Sequence, residues 1–194
     1  MEKIVKIESR AVPIPIQDID TDQIIPARFL KATDKVGFGD NLFRDWRYDK
    51  NNQPVTDFVL NSDTYSGEVL VAGRNFGCGS SREHAAWAIA GYGFKVVISS
   101  FFADIFKNNA LNNGILPLRI EEDFLQEILA TVQSEPQSKL VIDLPTQTLT
   151  FLPTGRSATF EINSYKKECL INGYDDIDYL LSMRTEIEQF ETSK

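Results

Sequence analysis

The sequence predicts a single α/β domain over residues 1–194, with a barrel-like mixed sheet core flanked by helices. In the middle of the chain, short apolar strand signals alternate with helical patterns, which is typical of parallel strands joined by helices. Paired strand signals near the C-terminus indicate an antiparallel part of the same sheet. With 194 residues, of which 42% are hydrophobic, the chain is long enough to bury the core of one domain.

The elements follow from hydrophobic periodicity and from turn residues. Strands are predicted where short apolar or alternating runs occur, at residues 3–7, 12–16, 68–72, 95–99, 115–120, 140–144, 148–152 and 158–162. Helices are predicted where apolar residues recur at helical spacing, at residues 80–92, 101–112, 121–133, 163–172 and 175–191. Residues 18–30 are predicted as a loop followed by a short helix, and Thr154 and Gly155 as a hairpin turn. Residues 37–63 lack a clear period and are predicted either as a partner interface or as a loop over the edge of the core.

Composition excludes several classes of function. The net charge of −8 disfavours binding to nucleic acid or to an anionic membrane, both of which require a basic face. The longest apolar runs are too short to span a membrane, and the first residues lack the apolar core of a signal peptide, so we expect a cytoplasmic protein. One histidine and two cysteines do not provide a self-contained metal site or a disulfide framework.

The segment GRNFGCGSSREHAAW, residues 73–87, carries most of the chemical information. A strand, a glycine-rich turn and a helix start together form a common anion site, since free backbone N–H groups and the positive helix end converge there. Gly77 and Gly79 allow unusual backbone angles beside Cys78. Ser80 is predicted to cap the helix with Glu83 three residues later. The segment matches neither the dinucleotide fingerprint nor the phosphate loop.

Taken singly, these residues also fit a purely structural interpretation. A glycine turn before a capped helix is common, Cys78 alone would be small core filler, and Arg82 alone would be a surface charge. His84 is interpreted as local scaffold, not as a catalytic group. The combination of two serines and an arginine at an anion-attracting helix start favours a binding function.

The motif GxN[FY]GxGSSREHAA, which begins at Gly73, resembles the signature of the aconitase superfamily's swivelling domain, a β/β/α fold. Residues 20–26, DTDQIIP, are similar to a second block of that family. Residues 37–47 and 112–117 resemble the stand-alone small subunits of bacterial 3-isopropylmalate dehydratases. The four blocks occur in the family's order and cover nearly the whole chain.

The resemblance implies a hydro-lyase of leucine biosynthesis that interconverts 2-isopropylmalate and 3-isopropylmalate by dehydration and rehydration. It implies that a 4Fe–4S cluster lies on a large catalytic partner subunit, in a heterodimer, and that this chain binds no cofactor. Ser80 matches the catalytic base, Ser81 and Arg82 match contacts to the substrate carboxylate, and Asp22 matches an acidic active-site position. Supporting loop positions are Asn75, Gly77, Cys78 and Gly79.

The substrate is the more open part of the prediction. Family members that act on tricarboxylates carry an arginine near the position of Thr33, which is predicted to contact the substrate here. The absence of that arginine favours a substrate with an apolar group, such as isopropyl, at this position. Small subunits of citraconate, methylmalate or homoaconitate enzymes remain alternatives, as do a non-enzymatic carboxylate-binding module and a structural subunit. A sensor would not require residues 20–22 to converge on the glycine loop, and a cysteine-bearing large partner would favour the enzyme.

Overall fold

Within residues 1–79 and 82–192, which the computed structural model describes, seven strands form one mixed sheet that curls into half a barrel. The strands are β1 (Lys6–Ile14), β2 (Val69–Ala72), β3 (Val96–Ser99), β4 (Leu116–Arg119), β5 (Lys139–Asp143), β6 (Thr148–Phe151) and β7 (Ser157–Thr159). Their order across the sheet is β4-β3-β2-β1-β5-β6-β7. The predicted fold class, an α/β domain with a barrel-like mixed core flanked by helices, is confirmed.

Strand β1 joins the two halves of the sheet. Its first residues, from Lys6 to Arg10, pair with antiparallel β5, and its last residues, from Ala11 to Ile14, pair with parallel β2. Strands β2, β3 and β4 continue the parallel half, and β6 and β7 continue the antiparallel half. The change of partner after Arg10 explains why the sequence suggests two separate extended segments where the structure has one strand.

Helices cover both faces of the sheet. Their bounds are α1 (Thr21–Ile24), α2 (Arg44–Arg47), α3 (Glu83–Tyr92), α4 (Asp104–Asn112), α5 (Glu122–Ser134), α6 (Ser164–Asn172), α7 (Asp176–Ser182) and α8 (Arg184–Thr192). Alternation along β2 shows the two layers, because successive side chains point to opposite faces. Val69 and Val71 belong to the apolar cluster shared with α5, whereas Leu70 and Ala72 belong to the cluster shared with α3 and α4.

Residues 37–63 fold over the edge of the second cluster as two 3-10 turns (Phe38–Asn41 and Val59–Asn61) and the short helix α2. The backbone comes so close to α3 that a Cβ on Gly39 would lie 2.2 Å from the carbonyl carbon of Gly91. Arg47 is buried and donates to the Asn61 side chain at 3.1 Å. Because its apolar side chains Phe38, Leu42 and Phe43 are buried in the second cluster, the segment covers the edge of the core.

Three predicted boundaries are wrong for identifiable reasons. Helix α4 starts at Asp104 instead of residue 101, because the preceding Phe102 forms a β-bridge with Phe76. Strand β7 ends at Thr159, because its partner β6 begins at Thr148 and the preceding Gln147 has a left-handed φ of 54°. The predicted helix 175–191 is two helices, with Met183 closing α7 through an N–H bond to Leu180.

Candidate functional site

The glycine-rich loop lies at the carboxyl edge of the parallel strands. Residues 15–20 follow β1, residues 73–79 follow β2 and residues 100–103 follow β3, so all three loops meet at one edge. Ser99, fully buried at the end of β3, donates its hydroxyl to the Gly73 carbonyl at 2.7 Å. This edge is where open α/β sheets usually bind ligands.

Backbone hydrogen bonds join the glycine loop to the loop after β1. The Asp18 amide donates to the Arg74 carbonyl at 2.9 Å, and the Thr21 amide donates to the Cys78 carbonyl at 3.0 Å. The Asn75 side-chain amide donates to the Asp18 carboxylate at 2.7 Å. Two motifs that are far apart in sequence therefore form one surface.

Asp18 is a residue of this surface that the sequence analysis did not predict. Its carboxylate orients Asn75, and its carbonyl accepts a weak hydrogen bond from the Cys78 thiol at 3.4 Å. The pKa of the Cys78 thiol is raised, mainly because the thiol is partly buried and to a smaller extent because the negative charges of Asp20 and Asp18 lie nearby. A signal for Asp18 existed, because it opens the predicted loop at residues 18–30 and lies two residues before the DTDQIIP block.

Alternate residues of the loop adopt left-handed backbone conformations. The φ angles are 64° at Asn75, 75° at Gly77 and 87° at Gly79. Asparagine tolerates this region better than most residues, and glycine occupies it freely. Gly77 is constrained further, since a Cβ there would lie 2.2 Å from the Phe106 ring. Glycine is therefore required at position 77 on two grounds.

Replacing Gly77 with alanine is expected to destabilise the protein more than the same change at Gly37. Both residues have positive φ, but among the described residues nothing lies within 4 Å of a Cβ on Gly37. The strained backbone costs about 1 kcal/mol in each variant, and the clash with Phe106 adds about 2 kcal/mol at Gly77. Urea unfolding of both variants measures the difference, and equal losses would contradict the steric argument.

Arg82 and Asp22 form an ion pair that brings the two motifs together. Arg82 Nη1 donates to Asp22 Oδ1, across 60 residues of sequence. The Asp22 side chain is 55% exposed, whereas that of Arg82 is only 16% exposed. The guanidinium is therefore largely buried, and the carboxylate lies at the protein surface. Asp22 is held in α1 by the capping box of Asp20 and Gln23.

The predicted capping of helix α3 is wrong in its register. The helix begins at Glu83, with Arg82 in extended conformation as its N-cap and no side-chain cap bond. The Glu83 carboxylate accepts from the Trp87 indole N–H at 3.1 Å and from the Asn113 amide at 3.3 Å. The hydrogen bond from Trp87 lowers the pKa of Glu83. Burial partly opposes this effect, and the bond from Asn113 adds to it. Glu83 thus bonds along its own helix and to the end of α4.

Ser80 and Ser81 lie outside the described residues, so their predicted roles stay predictions. Their described neighbours both adjoin the segment around Asp20. A Cβ on Gly79 would lie 3.5 Å from the Asp20 Cβ, and Arg82 pairs with Asp22.

Thr33 is linked to helix α3 through its neighbour Ala32. It is exposed and follows Ala32, whose carbonyl accepts a hydrogen bond from His84 Nε2 at 3.1 Å. The His84 ring packs 4.5 Å from Trp87 and 5.7 Å from Phe38, centroid to centroid. His84 thus connects α3 to the segment that carries Thr33.

Across residues 1–79 and 82–192, no group of three or more His, Cys, Asp or Glu side chains is placed to hold a metal ion. Over the same residues, none of the helices combines the length and apolar character that crossing a membrane requires.

The chain is similar to known proteins in both sequence and fold. Residues 1–123 match the family of aconitase C-terminal domains. The chain is 58% identical over 194 residues to a 3-isopropylmalate dehydratase small subunit of Christiangramia forsetii, covering 100% of this chain and 95% of that protein. A small subunit of the same name from Azobacteroides pseudotrichonymphae is 62% identical over 192 residues, covering 98% of each chain. A crystal structure of 3-isopropylmalate dehydratase from Methanocaldococcus jannaschii superposes with a TM-score of 0.68 at 31% identity, covering 96% of this chain and 99% of that one.

Proposed function

Because the chain belongs to the family of 3-isopropylmalate dehydratase small subunits, within the aconitase superfamily, we propose that it forms one wall of that hydro-lyase's active site in the cytoplasm. The reaction removes water from one isopropylmalate isomer and adds it back on the adjacent carbon. The proposed partner is a large subunit that holds a 4Fe–4S cluster.

The observation that carries this proposal is the ion pair between Arg82 and Asp22. A carboxylate sensor would need only the glycine loop and the start of α3. Here residues 18–22 are fastened to that loop by backbone bonds as well as by the ion pair. The convergence of both motifs favours an active-site wall over a simple anion sensor.

Each residue of the wall has a proposed part in the chemistry. Ser80 removes the proton next to a substrate carboxylate, while Ser81 and Arg82 bind that carboxylate, with the planar guanidinium able to make two parallel bonds. Asp22 orients Arg82 until substrate binds. When bound to the partner, the cluster supplies a Lewis acid for the departing hydroxyl.

The loop residues support this arrangement without touching the reacting atoms. Asn75, Gly77, Cys78 and Gly79 hold a backbone path that aims the start of α3 at the substrate. Lowering the pKa of a serine hydroxyl costs about 1.4 kcal/mol per unit. The positive end of α3 and the neighbouring guanidinium contribute part of this free energy.

The charges of the wall explain why a partner is needed. Asp18, Asp20 and Asp22 surround the loop, and the Arg82 charge is already balanced by Asp22. A substrate with two carboxylates gains little attraction from such a surface. We therefore propose that the large subunit contributes additional positive charge facing this wall.

The isolated chain is expected to show no dehydratase activity and to bind no iron. Anaerobic purification, addition of iron and sulfide, and an assay of alkene formation from isopropylmalate test this directly. Addition of a cluster-bearing large subunit should restore turnover. The control is the large subunit alone, and turnover by the small subunit alone would contradict the proposal.

The same assay distinguishes the related enzymes. Citraconate, methylmalate and homoaconitate offered to the reconstituted complex should be converted less efficiently than isopropylmalate. A preference for one of them would reassign the substrate, and isopropylmalate binding without any turnover would favour the sensor.

A further inference from the structure

We propose that His84 is a positioning residue, which holds residues 31–36 against α3 and thereby places Thr33 relative to Arg82. The direction of the hydrogen bond is set by chemistry. The Ala32 carbonyl can only accept, so His84 Nε2 carries the proton and donates at 3.1 Å. The bond spans 52 residues of sequence and connects the first turn of α3 to the segment after α1.

A second fastening lies on the far side of Thr33. Lys35 Nζ donates to the Asn113 side chain at 2.9 Å and lies 5.0 Å from the centre of the Trp87 ring. Trp87 and His84 are three residues apart on α3 and therefore share one helix face. Thr33 is thus bracketed by two attachments to the same face.

The position of Thr33 is coupled in this way to the anion contact. Arg82 is the N-cap of α3, and His84 is the second residue of that helix. A shift of residues 31–36 away from His84 would move Thr33 without moving Arg82. Selectivity between two substrates is the difference in their transition-state binding. It therefore depends on the correct relative position of Arg82, at the substrate carboxylate, and Thr33, at the other end of the substrate.

Within residues 31–36, Thr33 is exposed and its neighbour Ala32 is half-buried against the cluster under α3. The Val36 amide donates to the Asp34 carboxylate at 2.9 Å, which closes a turn beyond Thr33. The turn is local, and His84 makes a long-range bond that fixes where it lies. The part of this inference that concerns selectivity rests on the proposed function.

The first test needs no activity. In the isolated chain, His84→Phe keeps an aromatic ring against Phe38 and Trp87 but removes the donor. Hydrogen exchange of the Ala32 and Val36 amides should become about tenfold faster. His84→Gln, whose amide N–H has a similar reach, should stay within about threefold of the native rate. Unchanged exchange in His84→Phe would overturn the positioning role.

The matched control is Tyr92→Phe on the same helix. Tyr92 also donates to a backbone carbonyl, that of Leu60 at 2.9 Å, but at the far end of α3. This variant should lower the melting temperature without faster exchange in residues 31–36. Equal acceleration in Tyr92→Phe and His84→Phe would reduce His84 to a general structural role and overturn the proposal.

The second test uses the complex with the large subunit. His84→Phe should lower kcat/KM for isopropylmalate about tenfold relative to methylmalate, whereas His84→Gln and Tyr92→Phe should keep the native ratio. An unchanged ratio in His84→Phe would overturn the selectivity claim. If the native complex converts neither acid, the proposed function fails and the selectivity claim fails with it, while the exchange result still decides the positioning role.

Discussion

Replacing Ser80 with alanine is expected to lower turnover of the reconstituted complex by a factor of about a hundred or more, with KM changed only a few fold. The reason is that the hydroxyl is proposed to remove a proton, which alanine cannot do, whereas the carboxylate contacts are proposed for Ser81 and Arg82. Steady-state kinetics beside a thermal melt of the same variant measures both effects.

A matched control for the loss of a hydroxyl is Ser157→Ala. Ser157 is exposed on β7, in the antiparallel half of the sheet and three strands from β1. It should leave turnover unchanged. Near-normal turnover in Ser80→Ala would remove the base assignment, and a parallel loss of stability and activity would indicate a structural loop instead.

Replacing Arg82 with lysine is expected to raise KM by about tenfold or more and to lower kcat as well. Lysine keeps the positive charge but loses the planar fork that binds a carboxylate at two points. The substitution also disturbs the pairing with Asp22, which holds the side chain in the wall. The measurement is steady-state kinetics of the complex over a range of isopropylmalate concentrations.

Arg156→Lys provides the matched control for this change. Arg156 pairs with Asp123 at 2.6 Å and with Glu127 at 2.8 Å, on the side of the sheet covered by α5. Its replacement should leave both KM and kcat unchanged. If Arg82→Lys behaves like Arg156→Lys, Arg82 does not bind the substrate carboxylate and serves only to join α3 to α1.

A companion variant separates orientation from binding. Asp22→Asn keeps the size of the side chain but removes its charge, so the guanidinium loses its partner at the rim of the wall. A rise in KM smaller than that of Arg82→Lys is expected, because Arg82 can still bind substrate and the removal of the Asp22 charge partly offsets the loss of orientation. A rise larger than that of Arg82→Lys would indicate that Asp22 contacts the substrate itself.

Local pattern was enough to predict most of the sheet. Strands β2, β3 and β4 are short apolar runs between turn or helix signals, and hydrophobic periodicity identifies such runs well. Helix ends were predicted less well, because they depend on contacts that the local pattern does not contain. The start of α4 depends on the bridge between Phe102 and Phe76, and the start of α3 depends on what Arg82 and Glu83 contact.

The fold class, the glycine-rich loop before α3 and the family resemblance could all be predicted from the amino-acid sequence alone. These depend on residue type and spacing, which act over a few residues. The tertiary structure was needed to show that Asp18 bonds to Asn75, that Asp22 pairs with Arg82 and that His84 bonds to Ala32. Such contacts join residues 52 to 60 positions apart, because β1 and β2 are neighbours in the sheet and α3 packs beneath residues 31–36. Strand pairing and helix packing act between distant parts of the chain. The contacts that they produce therefore depend on the register of the sheet and cannot be predicted from any single stretch of residues.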